Sequence, residues 1–189
     1  RNFLNNNEIS ILTGPSFAND LSVGLPTALT LACEHEKVKT FLQKTLTTPN
    51  LRLYSTSDII GAQLGGALKN VIAIGCGMVK GAGLGESAST ALMTRGLSEI
   101  INLGIAMGAE AHTFYGLSGL GDLALTCSST QSRNLAFGLN YNDSSISDSN
   151  GTIEGVRTAS AANNLAKAFG IEVPIINTVD LILKNKVSI

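Results

Sequence analysis

The chain has 189 residues, 44% of them hydrophobic and only 14% charged, against roughly 25% charged in an average soluble domain. A chain this long and this apolar can bury a substantial core, and it leaves comparatively little surface meant for water. Thirteen basic residues against fourteen acidic ones give a net charge of −1 with no Lys/Arg cluster, which argues on electrostatic grounds against nucleic acid or an anionic membrane as partner.

The opening RNFLNNNEIS has neither an initiator Met nor the charged-then-apolar pattern of a signal peptide, and it reads as internal to a longer protein. Ile9 to Thr13 and Thr27 to Ala32 are short, apolar, rich in β-branched residues and bounded by Gly14-Pro15 and Leu25-Pro26, so both are predicted strands. A short helical turn is expected between them, from Ser16 to Val23. Val38, Phe41, Leu42 and Leu46 at helical spacing predict a helix ended by Pro49, followed by a strand from Leu51 to Tyr54. After Ser55 the texture becomes helical, and a domain boundary is placed there, dividing residues 1–55 from residues 56–189.

Ser57 is the expected cap of a long helix over IIGAQLGGALKNVIAIGCGMV. The five glycines in that segment lower helix propensity but let neighbouring backbones come close, which suits a central buried helix. The segment is apolar enough to suggest a membrane span, yet the glycines, the central Lys69-Asn70 and the lack of flanking basic residues argue against one. Further helices are predicted over Ser87 to Met107, Ala111 to Tyr115, Gly121 to Cys127, Ser132 to Leu139, Glu154 to Phe169 and Ile175 to Lys184. The polar run from Asn140 to Gly151 is read as a loop. The fold class is therefore mainly α.

Cys33, Cys76 and Cys127 are odd in number, widely spaced and set in apolar runs, the pattern of small buried hydrophobes in a reducing, cytoplasmic compartment. His35 and His112 stand in polar surroundings with no second ligand at metal spacing, so no metal site is expected. Glycine-rich spots occur, but none follows a strand with the G-x-G-x-x-G spacing of a dinucleotide fingerprint.

Two charges stand out because each is alone on an apolar run: Lys69 between Asp58 and Lys80, and Asp122 between His112 and Arg133. They could satisfy each other across a site. Thr126 lies four residues after Asp122 and so shares its helix face, and Ser132-Arg133-Asn134 follow, with a guanidinium fork suited to phosphate or carboxylate. Plainer readings stand beside these: Lys69 snorkelling to water, Asp122 as an N-cap, and Arg133 as an exposed helix-start residue.

The strings GPSFA (14–18), LPTALTLA (25–32), IGAQLGGALKNVIAIGCGM (60–78), TALMTRGLSE (90–99), GLSGLGDLALTC (116–127), QSRN (131–134) and IEGVRT (153–158) resemble, in order and approximate spacing, the bacterial-type NAD(P)-dependent glycerol-3-phosphate dehydrogenases. The resemblance is to the C-terminal two-thirds of such an enzyme. It implies an all-helical substrate-binding and dimerisation domain over residues 56–189, preceded over residues 1–55 by the last αβ elements of a Rossmann-type nucleotide-binding domain. Lys69 is implied as the proton donor and acceptor. Asp122 would contact substrate and hold that lysine, Thr126 would line the pocket, and Arg133 would grip the substrate phosphate while touching the cofactor. Ser132, Asn134, Gly14 and Ser16 are implied substrate contacts, Ala18 and Glu154 cofactor contacts, with Thr152 a weaker candidate.

The same resemblance implies NAD or NADP as cofactor, dihydroxyacetone phosphate and sn-glycerol 3-phosphate as substrates, a cytoplasmic homodimer, and a part in supplying glycerophospholipid precursors. The glycine loop and an earlier substrate-site lysine of the family are missing from this sequence, and the chain by itself is expected to be inactive. Two other readings are kept open: a dehydrogenase of the 3-hydroxyacid or 6-phosphogluconate type, and a non-catalytic helical oligomerisation module with Lys69 and Asp122 as a structural ion pair.

Overall fold

The computed structural model describes residues 9–141 and 153–189; Thr152 and most of the loop read over Asn140 to Gly151 lie outside them. Strand β1 (Ser10–Thr13) runs antiparallel to β2 (Thr27–Cys33), which pairs in parallel with β3 (Leu51–Thr56), in the order β1-β2-β3. The short helix α1 (Ala18–Ser22) joins β1 to β2, and α2 (Glu36–Leu46) makes the crossover that a parallel pair requires. Leu29, Leu31 and Leu53 are buried together under this small sheet.

Helix α3 (Ile59–Gly81) is the hub of the rest. Its residues from Asn70 to Met78 are all buried, and α4 (Gly85–Ala106), α5 (Asp122–Ser128), α6 (Arg133–Leu139), α7 (Glu154–Phe169) and α8 (Pro174–Leu183) all pack on it. Val71, Ile72, Ile74, Ile100, Leu103, Phe114, Leu123, Leu135 and Ile176 form one core around it. Among the described residues, α3 is the one helix long and apolar enough to cross a membrane, but it is enclosed by protein instead.

Glycine permits that enclosure. A Cβ on Gly77 would sit 2.7 Å from the backbone nitrogen of Leu139 and 2.8 Å from the Gly138 Cα, so α6 can lie this close only because Gly77 has no side chain.

The cap of α3 is Asp58, one residue beyond the expected Ser57. Its Oδ1 accepts from the Gly61 N–H at 2.8 Å, and its Oδ2 accepts from the Glu110 N–H at 2.9 Å. A carboxylate has the acceptor capacity to close the helix and anchor the Glu110 turn at once, which is why it outcompetes the neighbouring hydroxyl. Helix α4 starts two residues earlier than predicted. The stretch after it is not α-helical: Ala111–Tyr115 is a 3-10 turn and Leu117–Gly121 a π-helical turn, leading directly into α5. The mainly helical fold with a short αβ lead is otherwise the one expected.

Candidate active site

Lys69 sits midway along α3 with 18% of its side chain exposed, and Asp122, the first residue of α5, has 2% of its side chain exposed. The lysine Nζ donates to Asp122 Oδ1 at 2.5 Å, joining the two charges that stood alone in sequence. The N-cap reading of Asp122 does not hold, because its carboxylate serves these partners and Gly121 occupies the cap position. Thr13, at the end of β1, donates its hydroxyl to Asp122 Oδ2 at 3.4 Å, so the sheet also contributes to this pair. Thr126 donates to the Asp122 carbonyl oxygen at 2.6 Å and approaches Oδ1 at 3.5 Å. Burial pushes the Asp122 carboxyl above the usual carboxylate range, against the opposing pull of the Lys69 charge and of the hydrogen bonds from Lys69, Thr13 and Thr126.

A second group lies beside the first because Asn70 follows Lys69 on α3. Asn70 donates its amide to Glu154 Oε2 at 3.2 Å and accepts at Oδ1 from Asn134 Nδ2 at 3.1 Å. Asn134 Oδ1 in turn accepts from the Gly155 N–H at 2.9 Å. The Arg133 guanidinium lies 3.4 Å from Glu154 Oε1, and these two side chains are 60% and 59% exposed. Ser132 caps α6, accepting from the Leu135 N–H at 3.3 Å, and is buried.

Lys69, Asp122 and Thr126 thus make one cluster, and Asn134, Arg133 and Glu154 another, bridged through Asn70. Gly14 is buried where β1 ends, with Pro15 facing Gly121, which brings the GPS segment beside Asp122. Ser16 is half-buried and Ala18 exposed at the start of α1; among the described residues neither makes a hydrogen bond to the Lys69–Asp122 pair.

Two contributors were not singled out from the sequence. Asn70 carried a signal, an amide next to the lone Lys in an otherwise apolar helix. Thr13 carried none, since a threonine ending a strand is commonplace.

Chemically, the first cluster presents an ammonium with donors to spare, oriented by a buried carboxylate and still open to solvent. The second presents an exposed guanidinium and carboxylate side by side.

A family model described as the C-terminus of NAD-dependent glycerol-3-phosphate dehydrogenase matches residues 58–189. A protein of Ruegeria sp. (strain TM1040) named glycerol-3-phosphate dehydrogenase, NAD(P)+, is 53% identical over 180 residues, spanning 95% of this chain and 56% of that protein. One of the same name from Chelativorans sp. (strain BNC1) is 49% identical over 189 residues, 100% of this chain and 58% of its own length. The crystal structure of glycerol-3-phosphate dehydrogenase from Coxiella burnetii superposes with a TM-score of 0.90 at 35% identity, covering 95% of this chain and 57% of that one. The chain therefore spans a little over half the length of the curated relatives it matches. Through its helical part, the chain belongs to the NAD-dependent glycerol-3-phosphate dehydrogenase family.

Proposed function

We propose that the complete protein interconverts dihydroxyacetone phosphate and sn-glycerol 3-phosphate with NADH or NADPH, and that residues 56–189 are its substrate-binding domain, led by residues 1–55 as the last part of its nucleotide-binding domain. The observation that carries this reading is the Lys69–Asp122 pair, an ammonium held by a buried carboxylate at 2.5 Å yet 18% exposed, with the Arg133 guanidinium on an adjoining helix.

The nicotinamide cofactor, when bound, supplies hydride to the carbonyl carbon in one direction and takes it back in the other. Negative charge then develops on the carbonyl oxygen, and Lys69 Nζ donates a proton there, neutralising the charge and completing the alcohol. In the reverse direction Lys69 takes the hydroxyl proton. Asp122, itself held by Thr13 and Thr126, keeps the ammonium aimed, which is the pre-organisation that proton transfer needs. The planar fork of Arg133 matches a phosphate, and its exposure leaves donors available to substrate and cofactor. Exposed Arg133 and Glu154, with donors and acceptors open to solvent, and the small exposed Ala18 fit the polar edge and the flat ring of a nicotinamide. The enzyme would act in the cytoplasm as a homodimer, and its product suits glycerophospholipid synthesis.

The test is consumption of reduced nicotinamide cofactor by the complete protein with dihydroxyacetone phosphate, against the same protein carrying Arg133→Ala. Loss of a charge-assisted phosphate contact, worth about 1.5–3 kcal/mol, raises KM for the phosphorylated substrate roughly ten- to hundredfold. At saturating cofactor, the much weaker turnover of unphosphorylated dihydroxyacetone should barely change. Equal losses on both substrates would remove Arg133 from the phosphate site.

A further inference from the structure

We infer that Thr13 is a positioning residue: seated over Gly66 of α3 at the end of β1, its hydroxyl holds the second oxygen of Asp122 and so ties the orientation of the Lys69–Asp122 pair to the strand end. The inference deepens the dehydrogenase reading and rests on it for its kinetic consequences, though not for its geometry.

The two oxygens of Asp122 are served from different parts of the chain. Oδ1 takes the Lys69 ammonium at 2.5 Å, with the Thr126 hydroxyl at 3.5 Å, both from the helical part. Oδ2 has, among the described residues, one side-chain donor, the Thr13 hydroxyl at 3.4 Å, from the last residue of β1. A carboxylate turns as a rigid plane about a torsion with little preference of its own, so holding Oδ2 also sets the direction of the Oδ1 lone pairs that receive the ammonium. Asp122 is buried, and solvent does not readily replace a donor lost there. At 3.4 Å the hydrogen bond is long, which limits the effect of losing it to the order of tenfold.

Packing places that hydroxyl. A Cβ on Gly66 would lie 2.8 Å from Thr13 Oγ1, so the hydroxyl occupies space that only a residue without a side chain leaves open, three positions before Lys69 on the same face of α3. On its other side Thr13 pairs with Thr30 of β2. Gly14 then turns the chain with a φ of 146°, and a Cβ there would come 3.1 Å from the Leu29 side chain. Pro15 lies against Gly121, the residue ahead of Asp122: a Cβ built on Gly121 would be 3.5 Å from Pro15 Cγ. The end of β1 therefore meets both α3 and the start of α5, and its placement reaches Asp122 directly.

The decisive variants, in the complete protein, are Thr13→Val, which keeps the shape and the strand preference without the hydroxyl, and Thr13→Ser, which keeps the hydroxyl without the methyl. The readout is the single-turnover rate of cofactor oxidation with dihydroxyacetone phosphate and reduced cofactor both saturating, so that slow product release does not hide the step.

The expected result is a rate loss on the order of tenfold in Thr13→Val, with half-saturating concentrations of both reactants within about threefold of wild type, and most of the rate kept in Thr13→Ser. A role in packing alone gives the opposite order, with serine the worse variant. A loss under about threefold in Thr13→Val, a Thr13→Ser protein as slow as Thr13→Val, or a loss seen only in KM overturns the inference. Gly66→Ala reaches the same hydroxyl from α3 with every polar group intact: it slows the step, and combined with Thr13→Val it adds little, whereas additive losses refute the seat on Gly66. The thermal unfolding midpoint tests the contact without turnover. Thr13→Val should lower it in wild type but not in Asp122→Leu, where an apolar neighbour suits valine; equal shifts in both backgrounds refute the contact. Failure of the dehydrogenase reading would show separately, as an inactive wild type.

Discussion

Removing either member of the Lys69–Asp122 pair has unequal consequences. Asp122 is 1% exposed as a residue, whereas the Lys69 side chain keeps 18% of its surface. In Lys69→Met the new side chain fills the space of the lysine stem, but among the described residues the carboxylate is left with only Thr13 and Thr126 as side-chain donors. Burial already raises the Asp122 carboxyl, and without the ammonium that opposes this it rises further. A carboxyl whose folded value lies above its unfolded one contributes stability below the unfolded value, about 3.9, and loses it as pH rises through the folded value. The deficit of Lys69→Met relative to wild type is therefore small near pH 4 and grows toward about 3–5 kcal/mol at pH 8, the cost of stripping the partner from a buried charge.

Asp122→Asn leaves an ammonium that can turn to solvent. Its deficit is about 1–2 kcal/mol, and it shrinks as pH rises because the variant lacks the carboxyl that wild type must ionise in a buried place. Urea midpoints of the complete protein at pH 5, 6.5 and 8 measure both series. Equal deficits in the two variants, or a Lys69→Met deficit that does not grow with pH, would refute the reasoning.

Glu99, on α4, accepts from the Ile175 and Ile176 N–H groups at 2.7 and 3.0 Å and so caps α8, whose own N-cap residue Val173 provides no side-chain bond. Glu99→Ala orphans two N–H groups and should cost about 2 kcal/mol or more, read as a lowered melting temperature; an unchanged one contradicts the cap. Burial raises the Asp180 carboxyl, but donors from Lys184, Ser160 and Asn163 outweigh it and leave it below its ordinary value. Its stabilisation is present above the unfolded value and lost as pH falls through the folded one, so the gap between wild type and Asp180→Asn should close on acidification; a gap that widens below pH 4 sinks that assignment. Gly77→Ala must push α6 off α3 and should destabilise by about 1–3 kcal/mol, checked by urea denaturation; a stabilised variant would mean that the packing there is loose.

How much of this was legible in the sequence depended on whether the signal was local. The strands and long helices announce themselves through β-branched runs and helical spacing, and the Lys69–Asp122 contact through two charges isolated on apolar segments. The cap of α3 was misplaced by one residue because propensity rates Ser57 and Asp58 alike, and only the tertiary partner Glu110 N–H decides between them. The π-helical turn Leu117–Gly121 has no periodic signature, and the sequence predicts no element there ahead of the helix that starts at Gly121. Thr13 joins Asp122 across 109 positions and Asn70 joins Asn134 across 64, contacts that follow from how the sheet and the small helices dock on α3 rather than from any spacing.

The central claim is that Lys69 moves the proton. Its most direct test is turnover of dihydroxyacetone phosphate by the complete protein in wild-type and Lys69→Ala forms, with substrate binding and melting temperature measured alongside. The account predicts a kcat loss of about a hundred- to ten-thousandfold in a protein that still folds and still binds substrate. A folded Lys69→Ala protein that keeps kcat within about tenfold of wild type, less than a general acid supplies, would contradict it.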